Sequence, residues 1–276
     1  MFERIVSHAK RVSYHLGRRV SLGDSTFEAR GYFASRLDYS HRHEPFLGAV
    51  LRRQLQAKPG ALIDVGVNVG QTLMKMLGID RNRDYVGFEP QIGCCFFVEQ
   101  FLRLNNLKNA VVLPMGLSDS NCIATLFSKG QYDEMASLAG PDDITGTQRL
   151  DATHIQTRVG GEVLKELNVG AISMIKISVE GAGVKVLSGL VDTIQRMRPS
   201  VVFEVLPSYF GLDRMMRPPD VCKKNKAAAD AIFSLLTGVG QSIYQLDDSG
   251  AEQQIQRFVL HDPRAFVSSN YIAISA

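Results

Sequence analysis

The residues most able to do chemistry are an acid, a glycine-rich turn and a second acid 25 positions further on. Asp64 closes the apolar run Ala61-Leu62-Ile63-Asp64-Val65, and Gly66-Val-Asn68-Val-Gly70 follows at once. Glycines at that spacing allow a tight turn into a helix and let backbone approach a ligand closely. The spacing is not the GxGxxG of dinucleotide enzymes, because Asn68 stands at the central glycine position. Glu89, followed by Pro90, ends the next apolar run. A carboxylate there can accept hydrogen bonds from both hydroxyls of a ribose. Taken singly, Asp64 reads as a turn-capping carboxylate and Glu89 as a surface acid. Taken together and in this order, they point to nucleoside binding. A second charged group, Lys176, Ser178 and Glu180, lies two and four residues apart at the end of a strand-like run, which can bring side chains to one cleft.

The elements that must position these residues alternate strand and helix from Ala61 onward, the pattern of a doubly wound α/β domain. Strands are expected at Ala61–Val65, Asp84–Phe88, Ala110–Met115, Ile172–Ile177 and Ser200–Leu206, with closing strands within Gln241–Leu246 and Ala265–Ala276. Helical spacing of apolar residues lies between them, for example Val184, Leu187, Leu190, Val191 and Ile194 before Pro199. The expected architecture is a Rossmann-like sheet of seven mostly parallel strands with an antiparallel edge strand and helices on both faces. Residues 117–161, rich in Gly, Asp, Ser and Thr, read as a hairpin and loop insertion. Residues 211–226 read as an irregular, basic segment beside a strand end, a candidate lid. Residues 1–57 read as a basic, mainly helical extension preceding a cofactor-binding domain at 58–276.

Four motifs occur in an order that resembles FkbM-type methyltransferases. They are Asp64-Val-Gly-Val-Asn-Val-Gly70, Phe88-Glu-Pro90, Gly116-Leu-Ser-Asp119 and Lys176-Ile-Ser-Val-Glu-Gly181. Glu44-Pro45, Lys58-Pro59-Gly60, Leu150-Asp151 and Phe203-Glu204-Val205 extend the resemblance over about residues 44 to 276. It implies a class I fold and S-adenosylmethionine as cofactor. Asp64, Gly66 and Gly70 would line its methionine end with Asn68, and Glu89 with Pro90 would hold the ribose. Ser118 and Asp119 would lie beside the adenine, and Lys176 and Glu180 would face the transfer site. The family's KIDVEGAE reads Lys-Ile-Ser-Val-Glu-Gly-Ala-Gly here, with Ser178 in the place of Asp and Gly183 in the place of Glu. Ser178 takes over the position of a carboxylate that would grip the methionine amino group or orient the acceptor.

Methyl transfer to a hydroxyl depends on positioning and gains from a base that removes the proton as the bond forms. Glu180, Glu204 and His154 are the candidate bases, and Lys176 either contacts the acceptor or pairs with Glu180 or Glu204. The expected reaction is O-methylation of a sugar or secondary metabolite. The alternatives are a protein, RNA or amine acceptor, or a cofactor-binding protein with weak catalysis.

Composition narrows the classes. The 276 residues are 45% hydrophobic and 21% charged, enough to bury a full core. No apolar run reaches the roughly 18–20 residues of a membrane span. The basic N-terminus has no signal-peptide core, so a cytoplasmic location is expected. Cys94, Cys95, Cys122 and Cys222 form no CxxC pair, and no metal is expected. Residues 1–60 carry 11 Lys and Arg against 5 Asp and Glu. With the basic 211–226 segment they could meet an anionic small-molecule or glycan acceptor, or a lipid surface. Nucleic acid is not an expected partner, and self-association is left open.

Overall fold

The apolar runs seen in the sequence become the central strands of one sheet, and their alternation decides which side chains meet. The computed structural model describes residues 18–29, 44–130, 133, 136–138, 150–205, 219–258 and 269–275, the side chains of 18 and 219–225 excepted. The chain begins with a hairpin, β1 (Arg18–Leu22) and β2 (Ser25–Ala29), and then α1 (Pro45–Ala57). Next come β3 (Ala61–Val65), α2 (Gln71–Leu77), β4 (Tyr85–Phe88), α3 (Ile92–Leu104) and β5 (Ala110–Leu113). An inserted unit holds β6 (Gly116–Ser118), β7 (Cys122–Ser128) and β8 (Asp151–Val159). The second half runs α4 (Gly160–Glu166), β9 (Ile172–Ile177), α5 (Gly183–Met197), β10 (Ser200–Glu204) and α6 (Pro219–Gly238). It closes with β11 (Gln241–Leu246), β12 (Glu252–Gln254) and β13 (Asn270–Ser275).

The main sheet has the order β12-β11-β13-β10-β9-β3-β4-β5 among the described residues. The five strands from β10 to β5 are parallel, and β13 runs antiparallel between β10 and β11. Two details differ from the sequence reading. The sheet has eight strands rather than seven, because Glu252–Gln254 adds a short antiparallel edge. The reversed C-terminal strand is internal rather than at the edge. Tyr271, Ile272 and Ala273 are all buried, and a strand apolar on both faces belongs inside a sheet.

Odd and even positions of the central strands feed two cores. Leu62, Met174 and Val202 pack under α1, α2, α3 and the hairpin. Ile63, Ile175 and Val201 pack under α4, α5 and α6. The first set matters for function, since the same columns continue as Asp64, Lys176 and Glu204 at the C-terminal strand ends. Residues 18–29, expected within a mainly helical stretch, form the hairpin instead. Gly23 has φ 57° in a Gly-Asp turn, and Leu22, Phe27 and Ala29 are buried against the first core. Helix α1 shares that core through Phe46, Leu47, Val50 and Leu51. Lys58 donates from Nζ to the carbonyls of Met197 (2.9 Å) and Arg198 (2.5 Å), closing the C-terminus of α5.

Candidate active site

A cavity of about 270 Å³ opens over the C-terminal ends of β3, β4, β9 and β10. That is near the lower end of the range for ligand pockets. One end is built by the turn after β3 and the acid after β4. Gly66 (φ 90°) and Asn68 (φ 48°) both adopt left-handed backbone, and a Cβ on Gly66 would lie 1.9 Å from the Ser178 carbonyl oxygen. Only glycine lets β3 and β9 stay in register there. The Gly66 N–H donates to the Phe88 carbonyl at 2.9 Å, which brings the turn against β4. Glu89 is 3% exposed and accepts the backbone N–H of Asn68 at Oε2 (2.8 Å) and of Gln91 at Oε1 (2.9 Å). Burial pushes its pKa up to about 6, against the pull of those two N–H groups. Gly116 and Leu117 line the same end.

Beneath the cavity lies a buried set of charges. Asp64 is fully enclosed and accepts the Tyr85 hydroxyl at Oδ2 (2.7 Å), while its Oδ1 has no hydrogen-bond partner within 3.5 Å among the described residues. Burial raises its pKa to about 6, opposed by Lys176 and the Tyr85 hydrogen bond. Lys176 faces Asp64 across the β3–β9 ladder and lies 3.8 Å from Glu44 Oε1. Burial works to lower the Lys176 pKa, and Glu44, Asp64 and Glu204 outweigh it and hold the amine protonated. Glu44 stands immediately before α1 in left-handed conformation (φ 47°), with Pro45 opening the helix. Its Oε2 is buried without a hydrogen-bond partner among the described residues. Buried oxygens in this condition cost about 1–3 kcal/mol each, so they suit a site that completes itself with a polar ligand.

The other end carries Ser178, Glu180 and Glu204 from β9 and β10, with Asp133, Ala136 and Leu138 from the insertion. Ser178 donates to Glu204 Oε1 at 3.1 Å. Burial raises the Glu204 pKa, with Lys176 in opposition. Burial also lifts Glu180, to about 7, and the neighbouring Glu204 and Asp133 carboxylates add to it.

The cavity therefore gathers Gly66, Asn68, Glu89, Pro90, Lys176, Ser178, Glu180 and Glu204 of the sequence candidates. Asp64 lies directly below it, and Gly70 (φ 90°) caps α2 behind the turn. Besides Asp64 and Gly70, three candidates fall outside its lining: His154, Ser118 and Asp119. His154 is exposed on β8, opposite Thr125, because the alternation of that strand turns Ile155 and Thr157 inward. Asp119 is exposed and accepts the hydroxyl of the buried Ser118 at 3.1 Å, so the pair is satisfied locally. The basic 211–226 segment lies outside the described residues, apart from the α6 backbone and Lys226. Sequence reasoning gave no role to Glu44, Gln91, Asp133 or Asn270, all of which line the cavity. For Glu44 a signal existed, an acid just before a helix-opening proline. The adjacent thiols Cys94 and Cys95 are buried in α3, and burial with nearby Glu89 pushes Cys95 up to about 12.

Five parallel strands with a reversed strand inserted beside them, a glycine turn after the first and an acid after the second define a Rossmann-like class I methyltransferase fold. Residues 64–236 match the family described as Methyltransferase FkbM domain, and the chain belongs to that family. Among solved structures, an FkbM methyltransferase from Methylobacillus flagellatus KT shares 14% identity at a TM-score of 0.44 over 78% of this chain. The chain spans 43% of that protein's length. A putative caffeoyl-CoA O-methyltransferase from Staphylococcus aureus shares 11% identity at 0.49, over 90% of this chain and 93% of that one. An O-methyltransferase from Bacillus cereus in complex with SAH shares 9% at 0.46, over 88% and 90%. No curated protein matches the chain. Among the described residues no helix is long and apolar enough to cross a membrane.

Proposed function

We propose that the chain is an S-adenosylmethionine-dependent O-methyltransferase acting on a neutral hydroxyl of a sugar or other small-molecule acceptor, with Glu180 as general base. The cavity suits the cofactor on two grounds. The glycine turn admits close backbone approach, and Glu44, whose Oε2 has no partner among the described residues, leaves acceptor capacity in the cavity lining for a polar group. Glu89 would hold the ribose hydroxyls, Asn68 and Gly66 would border the methionine portion, and Gly116 and Leu117 would border the adenine. S-adenosylmethionine, when bound, supplies a methyl group on a sulfonium to be attacked in line.

The observation that carries the acceptor reading is Glu180, a cavity carboxylate with a pKa of about 7. A base that titrates near the working pH is well matched to removing a hydroxyl proton. Glu204, held by Ser178 and Lys176, would orient Glu180 and keep its pKa up by like-charge repulsion. Lys176, enclosed by three carboxylates, would act as their counter-ion rather than as an acceptor contact. An anionic acceptor group beside Glu180, Glu204 and Asp133 would meet three acids, so a neutral hydroxyl is the better occupant of that end.

The test is transfer of labelled methyl from S-adenosylmethionine to panels of hydroxyl, amine and phosphorylated acceptors. Transfer to hydroxyls, with a rate rising through about pH 7, is expected. Transfer confined to amines, or a rate flat across that range, would overturn the O-methyltransferase assignment.

A further inference from the structure

Gln91 joins the two ends of the cavity. Its backbone N–H donates to Glu89 Oε1 at 2.9 Å. Its side-chain amide engages the backbone of Asp133 twice, Nε2 donating to the carbonyl (2.8 Å) and Oε1 accepting the N–H (3.2 Å). An amide side chain used in this way imitates one rung of a β-ladder. The same piece of the insertion is fastened a second time. Ser137 exchanges both backbone hydrogen bonds with Phe127 (2.9 and 3.0 Å), and its hydroxyl donates to the Glu180 carbonyl at 2.7 Å. Asp133 also accepts the Lys129 N–H at Oδ2 (2.7 Å). Asp133, Ala136 and Leu138 line this wall of the cavity, which is tied toward the acid after β4 through Asp133 and to the backbone of the acid after β9 through Ser137.

We propose that Gln91 is a positioning residue that couples cofactor occupancy to the ordering of Asp133 and Ser137 in this wall. The proposal rests on the reading that the cavity holds S-adenosylmethionine. A cofactor ribose on Glu89 immobilises the carboxylate that the Gln91 backbone holds, and the Gln91 side chain passes that order to Asp133. Coupling is reciprocal: a wall that improves cofactor retention must itself be stabilised by the cofactor. The wall in turn sets the acid that flanks Glu180.

The experiment measures hydrogen exchange at the Asp133 and Ser137 amides of the full chain, with and without S-adenosylhomocysteine. Its binding and dissociation rate are followed in parallel. In the wild type the ligand slows exchange at both amides by about tenfold, within the usual range of coupling. In Gln91→Met and Gln91→Ala that ligand-dependent slowing is lost and the ligand leaves several-fold faster, with thermal stability little changed. A purely structural role would lower stability and leave the ligand-dependence intact. Protection retained in either folded variant overturns the coupling while leaving the cofactor reading in place. A wild type that does not bind the ligand overturns both.

Discussion

The two ends of the cavity are built on different plans. The end formed by β3 and β4 is local: Asp64, Gly66, Asn68 and Gly70 lie within seven residues, and Glu89 is joined to them by the Asn68 N–H. The end formed by β9 and β10 is assembled from afar, with Glu180 and Glu204 beside Asp133 of the insertion and Glu44 reaching Lys176 from the start of α1. The first end is held by backbone conformation and burial, and the second by side-chain charge. Binding a common cofactor calls for a fixed geometry, whereas fitting a particular acceptor calls for parts that can vary on a constant frame.

The largest expected effect falls at the charged end. Glu180→Gln should lower kcat by about 10²–10⁴-fold, the usual worth of a general base, and leave S-adenosylhomocysteine affinity nearly unchanged. In the wild type, activity should rise with pH as Glu180 ionises near 7, and the variant should lose that limb. Equal loss of cofactor affinity would show that the two ends are not separable.

A stability measurement sharpens the contrast further. The Asp64 pKa is about 6 in the folded chain, above the 3.8 of an ordinary aspartate. The folded state therefore binds the proton more tightly. The stability this group allows is full below about pH 4 and is lost as pH rises to about 6. Asp64→Asn should thus stabilise the ligand-free protein by about 2–3 kcal/mol at pH 8 and by little at pH 4, read by denaturant unfolding, while weakening cofactor binding. Lower stability of the variant at pH 8 would mean that its pairing with Lys176 outweighs the burial cost.

The smallest effect belongs to His154. Exposed on β8 and outside the cavity lining, it should tolerate alanine with activity within about twofold of wild type. A large loss would place a catalytic group where the fold puts none.

Legibility followed the same division. Asp64 and the glycine turn after β3 are contiguous and Glu89 ends the next apolar run, so residue types and spacing pointed to that end of the cavity. The parallel core strands were equally plain as β-branched and apolar runs. The internal place of β13 was not, since pairing partners far apart in sequence decide it. At the end beside β9 and β10, Asp133 carries no local signal, and its position depends on Gln91. His154 stands outside the cavity lining because of the phase of its strand, which residue type does not reveal, and one residue of phase moves a side chain to the opposite face.

The central claim is that this cavity binds S-adenosylmethionine through Glu89. Calorimetric titration with S-adenosylhomocysteine tests it most directly. The wild type should bind one equivalent, with affinity falling as pH drops below about 6 and Glu89 becomes protonated. Loss of the charged hydrogen-bond acceptor in Glu89→Gln should weaken binding by about 10–100-fold, corresponding to about 1.5–3 kcal/mol. Unchanged affinity in that variant, with no dependence on pH between 5 and 7, would contradict the account.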